Sequence, residues 1–332
     1  MKVVAACLLA AALVVVGAAQ SGASARDGER VATITDDRVP ESSGLAVSPS
    51  DRSLLYTIND SDNTAAIYAI DRSTGDVVGE TTVGGYDLSD TEALGMGSDG
   101  TLWVADIGDN SANRSDIALY AFPEPGRGDS TVTPTRFPLR YPNGPQDAEA
   151  LLVKPRTHRI LIVSKGVTDG SVYAAPRKLR ADRPNDLRRV RRADAPGLVT
   201  DGSFTPDGDR VVLRTYGNVV VYDAQTWDET SSDGLPAQRQ GESMAVDRDG
   251  KSILIGTEGL PSPILRVDLP QPDRTQPTEQ EPKADDTAAS KDEARLATGL
   301  KIVGALGVVL VVLVVWIIVA ARRSRRRHHA MQ

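Results

Sequence analysis

Four acidic residues each open a short phrase of small and apolar residues: Glu92-Ala-Leu-Gly-Met, Glu149-Ala-Leu-Leu-Val, Asp201-Gly-Ser-Phe-Thr and Glu242-Ser-Met-Ala-Val. Ser43-Gly-Leu-Ala-Val has the same form with serine in front. Carboxylates gathered at one place repel one another, so they must hold protons, pair with basic groups or bind a cation. Calcium suits such a set, since it takes about six to eight oxygen ligands and needs neither histidine nor cysteine. A second group of polar residues follows the next apolar run of each phrase: Asn59, Asp60 and Asp62; Asp106, Asp109 and Asn110; Ser164 and Lys165; Arg214; and Glu258. The candidate calcium ligands are therefore Glu92, Glu149, Asp201, Glu242, Asp60 and Asp106. If the site is catalytic, Glu149 is the candidate acid or base, with Lys165 and Arg214 as candidates to hold an anion. Two other readings stay open: the acids fasten neighbouring sheets through backbone amides, Lys165 and Arg214, or they are solvated loop acids.

Other chemistries lack their residues. Cys7, the one cysteine, lies in an apolar stretch at the N-terminus, and His158 is the one histidine before the C-terminal tail. A cysteine nucleophile, a three-histidine zinc site and a Ser-His-Asp triad are thus poorly served. Aromatic residues make up 4 % of the chain, and Trp103 lies within an apolar run, which argues against a stacked-ring sugar platform. The net charge is −7 even with a basic C-terminal tail included, so nucleic acid is not an expected partner.

The acidic phrases need elements to position them. Counted from the Ser43 phrase, the five starts are 49, 57, 52 and 41 residues apart. Each is followed by a polar turn, a strongly apolar run such as Leu102-Trp-Val, Ile160-Leu-Ile or Val211-Val-Leu, and then a further apolar run. Short β-branched runs broken by Gly, Asp, Asn and Pro, with no helical periodicity, indicate an all-β chain. Repeats of this length carrying about four strands are the signature of a β-propeller. The expectation is five blades, of the WD40-like general type. The N-terminal run Val31-Ala-Thr-Ile-Thr would close the last blade. Six blades remain an alternative because units two and three are long. In this architecture the start of each innermost strand and the end of each second strand share one face, which would put the first polar group around the mouth of a central channel and the second in a circle outside it.

The ends of the chain set its expected location. Residues 1–25 read as a signal peptide: Lys2, an apolar run from Val3 to Ala19, and Ala23-Ser24-Ala25 as the cleavage pattern. Residues 26–270 would form the ectodomain. Residues 271–298, rich in Pro, Glu, Asp, Lys, Gln and Thr, read as a disordered stalk. Residues 299–321 read as one C-terminal transmembrane helix, because Ile302 to Ala321 is twenty residues without a charge. Residues 322–332 form a basic tail whose arginines mark the cytoplasmic side. The chain is thus expected as a single-pass cell-membrane protein with its long part outside.

The run Glu92-Ala-Leu, Leu102-Trp-Val-Ala-Asp-Ile-Gly-Asp-Asn-Ser-Ala-Asn-Arg114 and Ile117-Ala-Leu-Tyr-Ala-Phe-Pro resembles secreted actinobacterial propeller proteins of uncharacterised function. More distantly, Ser43-Gly-Leu-Ala with Leu55-Tyr-Thr-Ile-Asn-Asp60 is similar to the phytase-like esterase and SMP-30-like lactonase propellers. The resemblance implies that the acids at the channel mouth bind a divalent metal, with Glu92, Glu149, Asp201 and Glu242 as ligands. Ser43 departs from it where a fifth acid would stand. The leading expectation is a propeller that binds a small-molecule or protein ligand at its acidic face, with calcium as the candidate ion. The alternative is a metal-dependent hydrolase of phosphoesters or lactones at that face, and a third reading is an accessory subunit of an envelope complex.

Overall fold

Short apolar runs become antiparallel strands here because each is cut by a turn that carries its own hydrogen bonds. In the turn 205–210, Asp207 Oδ1 accepts from Thr205 Oγ1 at 2.6 Å and from the Asp209 amide at 3.1 Å. Gly208 then adopts φ 76°, a left-handed conformation that costs glycine little. Gly100 and Gly250 do the same in the matching turns of other repeats, at φ 78° and 64°.

The computed structural model describes residues 28–60 and 65–271. Its strands form five sheets arranged as the blades of a β-propeller, and no helix occurs among the described residues. Blade one holds β2 (Ser42–Val47), β3 (Leu54–Asn59), β4 (Ala66–Asp71) and β5 (Val77–Val83). Blade two holds β6 (Thr91–Met96), β7 (Thr101–Asp106), β8 (Ile117–Pro123) and β10 (Thr135–Arg140). Blade three holds β11 (Ala148–Val153), β12 (Ile160–Ser164), β13 (Asp169–Ala174) and β15 (Arg188–Pro196). Blade four holds β16 (Val199–Phe204), β17 (Arg210–Thr215), β18 (Asn218–Asp223) and β19 (Glu229–Gly234). Blade five is built from β20 (Met244–Val246), β21 (Ser252–Ile255) and β22 (Ser262–Asp268), and β1 (Glu29–Ile34) completes it by pairing antiparallel with β22. The N-terminal strand therefore closes the ring, as the unassigned run Val31-Ala-Thr-Ile-Thr suggested.

Six blades are excluded, and the extra length of units two and three has a structural destination. The surplus residues form β9 (Ser130–Val132), which adds in parallel to the outside of β5, and β14 (Asn185–Asp186), which adds in parallel to the outside of β10. Each long unit thus lends a short outer strand to the blade before it, which covers an edge that would otherwise expose backbone donors and acceptors.

The core is divided among the five seams between blades. Tyr56 and Ile58 face Leu94 and Val104 of blade two, while the neighbouring Leu55 faces Leu254 and Ile264 of blade five. Alternation along a strand thereby feeds both seams of each blade. Leu151, Ile162 and Tyr173 close the seam with blade two, Leu152 and Val163 that with blade four, and Val212 and Val221 meet Ile253 and Ile255. At about 1.5–3 kcal/mol for each large side chain removed from water, these seams hold the ring without covalent ties. Trp103 packs against Phe137 with ring centroids 5.7 Å apart, a packing role rather than an exposed platform. Among the described residues no helix is long and apolar enough to cross a membrane. The expected signal peptide, transmembrane helix and basic tail lie outside the described residues, as does the expected stalk beyond Gln271.

Candidate functional site

Hairpin register defines which residues are equivalent around the ring. In four inner strands a single residue is left without a partner on the second strand, a β-bulge: Ser43, Glu92, Glu149 and Thr200. In blade five the bond from the Gly256 amide to the Ser243 carbonyl puts Glu242 in this place. Five residues further on, the amides of Ser48, Gly97, Lys154, Thr205 and Asp247 each bond to the start of their second strand, so the phase is the same in all blades. Bulges re-aim side chains, and here they aim the ring residues at the rim.

Asp201 stands one residue past this position. A slip of one residue sends a side chain to the other face of its strand. Asp201 is fully buried, with Oδ1 accepting from the Gly202 amide and Oδ2 from the Met244 amide, both at 2.7 Å, which fastens blade four to blade five. Thr200 occupies the ring position and donates to the Glu242 carbonyl at 3.1 Å. Ser43 acts likewise, donating to the Glu92 carbonyl at 2.9 Å and to Glu92 Oε2 at 3.2 Å. Arg214 is also one residue short of its expected place, since Thr215 is the last residue of its strand. Its side chain is fully buried and donates to the carbonyls of Ser243 and Gly256 at 2.5 and 2.9 Å and to Gln238 Oε1. Burial lowers its pKa to about 10, against the pull of Glu242 and Asp201, so it remains cationic at neutral pH.

The residue two before each bulge forms a further ring: Glu41, Asp90, Asp147, Leu198 and Gln240. The carbonyls of four of them accept from the amides of Asp60, Gly108, Lys165 and Glu258, at 3.0, 3.1, 2.9 and 2.9 Å. The rim is therefore built from three positions per blade, and blades one, two, three and five fill them chiefly with carboxylates. Blade four supplies Leu198 and Thr200 and brings no acid to the first two.

Asp60, Asp90 and Glu92 converge most closely: one carboxylate oxygen from each lies within 4.8 Å of the others. Asp90 Oδ1 is buried without a hydrogen-bond partner among the described residues. Gly108 makes room for the group, because a Cβ there would come within 2.3 Å of Glu92 Oε1 and 2.6 Å of Asp90 Cγ. Burial, then the nearby charges of Glu149, Asp60 and Asp90, push Glu92 well above the ordinary carboxylate range. Burial and Asp60 raise Asp90 to about 6 although Arg114 opposes them.

Glu149 and Lys165 form the neighbouring sector, with Nζ 2.7 Å from Oε1. Burial raises Glu149 to about 7 even though Lys165 pulls it down. Burial opposes the ammonium of Lys165, but Glu149 and Glu242 outweigh it and hold Lys165 charged. The ring of Tyr216 lies 5.3 Å from Nζ. Further round, Gln240 Nε2 donates to Glu242 Oε1 at 3.3 Å and to Glu258, while Glu242 Oε2 is buried without a hydrogen-bond partner among the described residues. Burial raises Glu242, and burial with Glu242 and Asp60 raises Glu258 to about 8.

Asp106 lies behind the cluster. It accepts from the amides of Asp90 and Ser89 at 3.0 and 3.3 Å and from Arg114 at 2.6 Å, so it positions Asp90. Asn59 is likewise spent on the backbone of Arg38 and Glu41, and Asp109 Oδ2 on the Arg114 amide. Asp62 lies outside the described residues. His158 sits in a turn, with Nε2 3.2 Å from Ser98 Oγ. Of the residues singled out in the sequence, Asp60, Glu92, Glu149, Lys165, Glu242 and Glu258 belong to the rim. Asp90 and Asp147 were missed. Their signal is an alternation of two before the small-apolar phrase, Asp90-x-Glu92, Asp147-x-Glu149 and Gln240-x-Glu242, which puts both residues of each pair on one face.

No protein-family model matches the chain, and no curated protein matches it. Among solved structures, a gluconolactonase from Xanthomonas campestris, described as important in secondary glucose metabolism, matches with 16% identity and a TM-score of 0.40. The match covers 69% of this chain and 71% of that one.

Proposed function

We propose that the acidic rim binds a divalent cation, with Asp60, Asp90 and Glu92 as its core ligands, and that the protein presents a ligand or partner surface there. The observation that carries this reading is the convergence of three carboxylates within 4.8 Å, with Asp90 Oδ1 buried and without a hydrogen-bond partner among the described residues. Carboxylates pushed up by burial and mutual repulsion are relieved by a cation as readily as by protons. An all-oxygen donor set without histidine or cysteine suits a hard ion, and calcium is the ion we assign. In this reading the chain is exported and anchored by its C-terminal apolar segment, so the rim meets extracellular calcium. Lys165 adds one cation beside the cluster and would orient an anionic group of the ligand.

Calorimetric titration of the full chain with calcium, alongside Asp90→Asn, tests the proposal. Saturable heat and a thermal shift in the wild type, both lost in the variant, are expected. Absence of both in the wild type removes the cation.

A second reading, a hydrolase of phosphoesters or lactones, draws on Glu149, which titrates near neutrality beside Lys165 and could take up a proton at working pH. Turnover in a phosphoesterase and lactonase screen that disappears in Glu149→Gln would establish it, whereas no turnover with any divalent metal leaves the binding role.

A further inference from the structure

A cavity of about 760 Å³ lies at the outer edge of blades two and three, away from the rim. It is walled by the end of β10 and by the segment that leads from β13 to β15. Arg159, Arg177, Lys178, Arg183 and Arg188 line it and make no ion pair or side-chain hydrogen bond among the described residues. Arg140 and Arg180 also line it, paired with Asp186 at 2.7 Å and Asp182 at 3.1 Å. Asp186 is the one carboxylate in the wall. This concentration of positive charge occurs in a chain whose net charge is −7.

The fold holds the segment in place. Asn185 is buried, accepts from the Arg180 amide at 2.9 Å, and donates to the carbonyls of Pro138 and Arg180, both at 2.9 Å. Leu187 is 1% exposed and Leu179 packs on the seam between the two blades. Backbone pairing of Asn185 and Asp186 with Leu139 and Arg140 completes the attachment. The cations therefore stand on a fixed backbone around one concavity and do not trail from a free loop.

We propose that this cavity binds a multiply charged phosphate group. Arginine presents a planar fork of donors that fits phosphate oxygens two at a time, and several such forks around a concavity select a compact anion of high charge. A flat basic stripe would suit an extended polyanion, but the site is concave and bounded. The same chemistry is met in a free oligophosphate and in a lipid headgroup that is a phosphate monoester, and the experiment separates them.

The full chain, purified in neutral detergent, is titrated by calorimetry with inorganic tripolyphosphate and, separately, with detergent micelles containing a phosphatidic acid lipid. Both arms are repeated on Arg177→Glu/Lys178→Glu/Arg183→Glu and on Arg30→Glu as a remote charge control. Saturable binding in either arm is expected, weakened at least about tenfold in the triple variant and by added salt, and unchanged in the control. Binding in the first arm alone identifies a free phosphate ligand, and in the second alone a lipid headgroup. Silence of the wild type in both arms at low salt overturns the proposal, even if the triple variant fails to fold. So does equal binding by the wild type and a folded triple variant.

Discussion

The rim and the outer basic cavity both crowd like charges, yet they treat them in opposite ways. At the rim the carboxylates are buried, Glu92 and Glu149 at 3% exposure each, and burial first and repulsion second raise their pKa values. At the outer cavity the cations are mostly solvated, with Arg177, Lys178, Arg183 and Arg188 all exposed. Water screens the second group, so it costs the fold little and its strength is set by salt. The first group is out of water, so protons, Lys165 or a cation must answer it. Burial therefore decides whether a charge cluster acts on stability or on binding alone.

The largest effect expected from this contrast is at Arg214. Removing it leaves the carbonyls of Ser243 and Gly256 and the carboxylate of Asp201 without their buried cation. Arg214→Ala is therefore expected to cost about 3–5 kcal/mol in urea unfolding. A cost near that of a surface substitution would mean that the seam between blades four and five does not depend on this group.

Next comes the cation. At a hundredfold excess of calcium over its dissociation constant, the propeller should gain about 2.7 kcal/mol. Differential scanning calorimetry with and without chelator reads this gain. Asp90→Asn should abolish it, and Arg183→Ala should leave it intact.

The pH dependence is smaller. A carboxyl whose folded pKa exceeds its unfolded value binds more protons when folded, so its contribution is complete below the unfolded value and is lost as pH rises through the folded one. Asp90 at about 6, Glu149 at about 7 and Glu258 at about 8 place that loss between roughly pH 4 and 8. Without metal, lowering the pH from 8 to 6 should raise stability by about 1–2 kcal/mol, after discounting Glu258 for its contact with solvent. Calcium should flatten the slope because it replaces the protons. Urea melts at the two pH values check both statements, and a stability that rises toward pH 8 would contradict the buried cluster.

The smallest effect belongs to the basic cavity. Arg183→Ala should change stability by no more than about 0.5 kcal/mol in the same urea assay. A larger loss would show that the exposed cations are structural and would erase the difference between the two regions.

Blade count, strand phase and ring closure could be read in the chain because they depend on local signals repeated many times: the small-apolar phrase, the Asp-Gly turn and the apolar run after it. The rim was legible only in part. Glu92, Glu149 and Glu242 stand out because a carboxylate before Ala-Leu or Ser-Met is conspicuous. Asp201 and Arg214 mimic the pattern but sit one residue out of register, and only the bulges reveal it. Asp90 and Asp147 escaped because they precede the strand by sequence pattern and join the rim through backbone pairing with residues beyond the second strand.

The chain alone determines that short amphipathic strands must form and repeat, since alternation and turn chemistry act over a few residues. It also determines an acidic character concentrated at the starts of inner strands. Tertiary structure decides which acids meet. Asp60 and Glu92 come from different blades, and a bulge that shifts one residue changes whether a carboxylate faces its neighbours across the rim or a backbone amide within the seam. That choice rests on where the bulge falls in each hairpin and on which blades pack side by side, which the repeated phrase does not encode.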